Sequence, residues 1–98
     1  MYYVLSTLKN REENLLNAIE AYQRAENLVP EEDNPAMYAK IQKQLGICFF
    51  EISETRDKQE NLKKALKHFN SAIKYIKNDA ELDEIKVYIT QINKDLIK

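Results

Sequence analysis

His68 and Cys48 are the side chains best suited to chemistry in this sequence, and each is the single residue of its type. An imidazole and a thiol suggest a metal centre, or a nucleophile with its base. A metal centre needs several convergent ligands, and these two residues, 20 positions apart, match no recognised ligand spacing. His68 falls between Lys67 and Phe69, off the apolar stripe of its segment, and is predicted to lie on the surface. Cys48 falls on a stripe and is predicted to be core, away from the electropositive, accessible setting that a reactive thiolate requires. The carboxylates of Glu12-Glu13, Glu31-Glu32-Asp33 and Asp83-Glu84 cluster at expected helix starts and turns, where acids favour the helix dipole, and read as solvated charge. With one glycine there is no glycine-rich phosphate loop. No nucleophile, acid and base form a constellation, so no catalytic residue, metal or cofactor is expected, and the chain does not read as an enzyme.

Charge is distributed unevenly. Residues 9–35 hold three Lys or Arg against seven Asp or Glu, a balance of −4, whereas residues 58–78 hold six lysines against Glu60, a balance of +5. Lys63, Lys64, Lys67, Lys74 and Lys77 should line the outward side of a lysine-rich helix over 58–77, which could neutralise phosphates of a nucleic acid or another polyanion. The stretch has no arginine and few aromatics, so solubility and complementarity to an acidic neighbour are the preferred reading.

The elements that must position these groups are helices. The chain has 98 residues, 44% hydrophobic and 32% charged, with one Gly and two Pro, which suits a single small all-α domain. Apolar residues recur at helical spacing four times. The stripes are Leu15, Ala18, Ile19, Tyr22, Ala25 and Val29; Tyr38, Ile41, Leu45, Cys48, Phe49 and Ile52; Leu62, Ala65, Leu66, Phe69, Ala72, Ile73 and Ile76; and Leu82, Ile85, Tyr88, Ile89, Ile92 and Leu96. Asn10 with Glu13, Asp57 with Glu60 and Asn78 with Glu81 have the shape of capping boxes, and Asn34-Pro35 places a cap before a proline at the first helical position. Helices are expected over 11–29, 35–54, 58–77 and 79–97. The longest strong apolar run is Ile47-Cys48-Phe49-Phe50, far short of the roughly 20 residues that span a bilayer. No leader pattern follows Met1, and a cytoplasmic location is expected.

The chain also repeats itself. Arg11 to Ile19 matches Lys58 to Leu66, 47 positions later; Tyr22 and Ala25 match Phe69 and Ala72; Tyr2-Tyr3 matches Phe49-Phe50; and Leu45 matches Ile92. A fixed period of this size marks stacked helical units, each hiding its apolar face against the next. Leu45-Gly46-x-x-Phe49, then Ala65-x-x-x-Phe69-x-x-Ala72, resembles the tetratricopeptide repeat, and Ala18-x-x-x-Tyr22-x-x-Ala25 with Pro30 resembles the second half of an earlier unit. The period of 47 exceeds the family's roughly 34; Gln42 stands where the family often has tryptophan, Lys77 where it has a second proline, and Asn93 where it has glycine.

The resemblance implies antiparallel helix-turn-helix units stacked as a solenoid of about two repeats: a partial unit at 1–30, a full unit at 35–77 and a capping helix at 79–97. It implies a protein-interaction module, with the ligand face on the first helix of each unit. By position that face comprises Lys40, Lys43, Ile47, Phe50, Thr90 and Lys94, with Tyr3 and Val87 in corresponding places, a cationic groove suited to an acidic protein or peptide segment. An asparagine that clamps a terminal carboxylate in some relatives is Ile47 here, so that property is not implied. Alternatives are polyanion binding through the 58–77 helix and a non-catalytic accessory domain of a larger enzyme. Because residues 1–8 match the second half of the second helix, the chain is expected to be part of a longer array or to be completed by a partner. The apolar Tyr2, Tyr3 and Leu5 would then serve a homodimer contact.

Overall fold

Asn34 and Pro35 open the second helix as their order predicts: the Asn34 side-chain oxygen accepts from the Met37 amide at 3.1 Å, and proline takes the first turn. The computed structural model describes the backbone of residues 2–97 and the side chains of residues 11–96. It has four α-helices, α1 (Tyr2–Leu28), α2 (Pro35–Ile52), α3 (Lys58–Ile73) and α4 (Asp79–Ile97), and no strand among the described residues. None of these helices is long and apolar enough to cross a membrane.

The start of α1, the cap of α3 and the end of α3 differ from expectation. Helix α1 runs unbroken through residues 6–10, where the repeat leads one to expect the counterpart of the turn after α2. The second copy turns at Glu54-Thr55-Arg56-Asp57, whereas the first reads Thr7-Leu8-Lys9-Asn10; Leu8 favours helix more than Thr55 does, but Thr7 favours it less than Glu54, so intrinsic propensity does not separate the two copies. Asn10 lies inside α1 and starts no helix. Asp57 does start α3, but in the left-handed conformation (φ 41°, ψ 54°) and with no side-chain capping bond, so no capping box forms with Glu60. The turn is closed instead by Asn61, whose amide donates to the Arg56 carbonyl at 2.9 Å. Helix α3 stops at Ile73; Lys74 and Tyr75 enter a turn in which the Tyr75 amide donates to the Ala72 carbonyl, so Lys74 and Lys77 leave the outward helix face predicted for them. Asn78 caps α4, accepting from the amides of Ala80 and Glu81.

Helix α2 is central. It packs on α1, α3 and α4, and buries Ala39, Gln42 and Gly46 as well as the predicted Ile41, Leu45, Cys48, Phe49 and Ile52. A helix with neighbours on several sides loses the polar face of a surface helix. Contacts run Tyr38 to Tyr75, Gly46 to Phe69 and Phe49 to His68, so α2 and α3 are antiparallel. Lys43 meets Glu84 and Phe50 meets Tyr88, so α2 and α4 run in the same direction. The core joins Ile19 of α1 with Leu45, Phe49, Leu62, Phe69, Ile85 and Ile92.

The tightest approach is at Gly46. A Cβ placed there would come within 2.7 Å of the Phe69 ring, which is fully buried and stacked on Tyr88 with centroids 5.1 Å apart. The ring has nowhere to retreat. Gly46→Ala should therefore destabilise the fold by about 1–3 kcal/mol through overpacking, although alanine is the better helix former. Phe69→Ala should cost about 3–5 kcal/mol through the cavity it leaves, both read by urea denaturation.

Candidate functional site

Two groupings of polar side chains stand out, one internal and one open to solvent. The internal one corrects the surface placement of His68. Its ring is half-buried and lies parallel to Phe49, 2° from coplanar with centroids 5.4 Å apart, while the Lys64 ammonium stands 5.6 Å from the same Phe49 ring. His68 Nδ1 is 2.6 Å from the side-chain oxygen of Gln42, whose Nε2 donates to the Glu26 carboxylate. Because the carboxylate accepts only, Gln42 must turn its amide nitrogen to Glu26 and its oxygen to His68, which makes Nδ1 the protonated nitrogen. Gln42 is 1% exposed, so both of its bonds replace water. This chain crosses α1, α2 and α3. The signal in the sequence was Gln42 itself, a polar residue beside Ile41 and Leu45 that needs partners once buried.

This row is a cross-link and not a catalytic relay, since an amide interposed between carboxylate and imidazole passes no proton. Cys48 is likewise unsuited to attack: burial, and then the charge of Glu51, push its thiol above the ordinary value. No group of three His, Cys, Asp or Glu is arranged to hold a metal ion among the described residues.

The open grouping is a cleft of about 870 Å³ where the start of α2 faces the turn between α3 and α4. Lys40 and Lys43 line it from α2, and Lys74 and Lys77 line it from the turn; Glu81 is the one acidic residue of the lining. Pro35, Ala36, Met37 and Ile76 supply apolar wall, with Asn34, Asn78 and Tyr75 at its edges. The early end of α3 is what brings Lys74 and Lys77 here. Tyr75 braces this end, donating to the Glu31 carboxylate of the α1–α2 turn and meeting Tyr38 edge-on at 6.1 Å. Lys43 is 13% exposed along its side chain and pairs with Glu84 at 3.2 Å. Lys40, Lys74 and Lys77 enter no ion pair among the described residues.

Of the residues the repeat pattern nominates, Lys40 and Lys43 meet in this cleft. Ile47 and Phe50 are half-buried against the core, Phe50 edge-on to Tyr88 at 5.1 Å. Thr90 and Lys94 are exposed on α4 and do not line the cleft. Val87 is exposed there too. The side chains of Tyr2, Tyr3 and Leu5, nominated for a homodimer contact, lie outside the described residues. No family model, curated protein or solved structure matches this chain.

Burial lowers the His68 pKa below the ordinary 6.5, with Lys67 acting in the same direction and Glu26 opposing. The neutral ring is thus the form the fold accepts. Above about pH 6.5 both folded and unfolded chains carry it neutral, and its contribution to stability is complete; below that value the unfolded chain gains a proton that the folded chain resists, and stability falls. His68→Gln should flatten the stability profile between about pH 6.5 and 5, above the range of ordinary carboxylates. His68→Ala should cost about 1–3 kcal/mol near neutrality by leaving the buried Gln42 oxygen unpaired. Chemical denaturation across pH reads both.

Proposed function

We propose that this chain is a tetratricopeptide-like helical repeat module that binds an acidic segment of a partner protein in the lysine-lined cleft. One observation carries the reading: four lysines from two separate chain segments, α2 and the α3–α4 turn, converge on one concave surface with an apolar wall. Lysines on a solvated helix face repel one another and spread; lysines gathered around a hollow raise the local potential and draw anions. The repeat interpretation draws support from the 47-residue self-similarity, from the antiparallel α2–α3 pair and from α4 running parallel to α2, as a next first helix would.

An acidic segment fits better than a nucleic acid backbone. Lys64 on α3 is taken up by Glu60, at 3.6 Å, and stands over Phe49, whereas the cleft lysines share their lining with Met37 and Ile76, which suit a peptide more than a sugar-phosphate chain. Lys40 and Lys74 are both exposed, so reversing their charge should leave the fold intact. Lys40→Glu with Lys74→Glu should weaken binding of a glutamate-rich peptide roughly tenfold or more, and added salt should weaken the wild-type interaction in the same direction. Isothermal titration of oligo-glutamate, with oligo-lysine as control, reads this. Unchanged affinity in the double variant would rule out the cleft, and tighter capture of RNA with a steep salt dependence would favour the polyanion reading.

A further inference from the structure

The cleft offers more than charge. Among the described residues the large apolar side chains left exposed are Leu16, Leu28, Met37 and Val87, and of these Met37 alone lines the cleft. Met37 is 44% exposed, stands in the first turn of α2 and continues into Pro35 and Ala36 on one side of the hollow, with Ile76 on the other. A purely anionic ligand would satisfy the lysines and leave this strip in water.

We infer that the bound segment carries one large apolar side chain between its carboxylates, and that this side chain seats on Met37 and Ile76 beside the cleft lysines; the inference rests on the function proposed above. Three features point to it. Lys40 and Lys43 line the cleft from α2 and Lys74 and Lys77 from the α3–α4 turn, so the carboxylates of one segment can meet cations of both elements. The thioether of Met37 is unbranched and polarisable, and moulds to a side chain of imperfect shape. The volume, about 870 Å³, lies within the roughly 300–1,000 Å³ range of pockets that enclose small ligands, and takes a few extended residues. The occupant is therefore a short extended acidic stretch with a leucine, methionine or phenylalanine at its centre.

Two peptides separate the apolar seat from the charge reading: Glu-Glu-Leu-Glu-Glu and Glu-Glu-Gly-Glu-Glu, both blocked at their ends, titrated into the full chain by calorimetry. Wild-type protein should bind the leucine peptide roughly tenfold more tightly than the glycine peptide, the increment expected for covering most of one leucine. That ratio should persist as salt is raised, while both absolute affinities fall. In Met37→Ala the ratio should drop to roughly two- or threefold, with the glycine peptide bound as before. Equal binding of the two peptides by the wild type would overturn the apolar seat and leave the charge reading standing. A ratio unchanged in Met37→Ala would place the leucine elsewhere and overturn it as well. Failure of both peptides to bind would remove the seat together with the proposed function.

Discussion

The closeness of α2 and α3 at Gly46 sets the geometry of everything around it. With hydrogen in place of a side chain, the α2 backbone comes down on the Phe69 ring, and the ring in turn stacks on Tyr88 of α4. One small residue thereby fixes the distance of α2 from α3 and, through one ring, the seat of α4. The cleft lies between the ends of these same helices, the beginning of α2 and the turn that follows α3. Its width is a consequence of the helix spacing, as dense interiors transmit displacement rather than absorb it. A lever effect follows: the contact lies in the middle of α2, and the lysines that matter stand nearer the helix start.

Packing by apolar side chains alone leaves helices some freedom to slide, and the row Glu26–Gln42–His68 removes it. Each helix of the first three contributes one member, and a shift by one helical turn would break both bonds at a place from which water is excluded. An unpaired buried amide is costly, whereas a mispacked methyl group is often tolerated, so the polar row discriminates among alternative alignments more sharply than the core around it. Stacking of His68 on Phe49 holds the imidazole plane in line for its bond to Gln42. The turn end is anchored in a different way, with Tyr75 joined to Glu31 and set against Tyr38, so that the α1–α2 connection is fastened beside the cleft.

Much of the helical skeleton was legible in the residues. Asn34-Pro35 and Asn78 begin their helices, and the stripes of Leu45, Phe49, Phe69, Ile85 and Ile92 are the buried ones, because caps and 3.6-residue periodicity are local properties. What the residues concealed was set by contacts distant in sequence. His68 was misplaced because its burial depends on Gln42 and Phe49, both on another helix. The repeat misleads at Asn10 and at Lys74: self-similarity carries over side-chain type, but whether a turn forms is settled by contacts distant in sequence, such as that of Tyr75 with Glu31 after α3. The repeat pattern places Lys40 and Lys43 in a groove with Ile47, Phe50, Thr90 and Lys94, and Lys74 and Lys77 on a helix face; the end of α3 instead brings the two lysine pairs together in the cleft.

Helix α4 is attached mainly to α3. It leans on α3, grazes α2, and holds to α2 by the edge of Tyr88 on Phe50 and by the Lys43–Glu84 pair, which salt screens. Its hold on the core is apolar, through the fully buried Ile85 and Ile92 and the stack of Tyr88 on Phe69, while its ion pair to α2 lies at the edge of the cleft. Glu84 is half exposed, so its carboxylate neutralises Lys43 from the solvent side. Glu84 and an incoming anion therefore compete for the same ammonium, so the seat of α4 and the charge of the cleft meet at one residue.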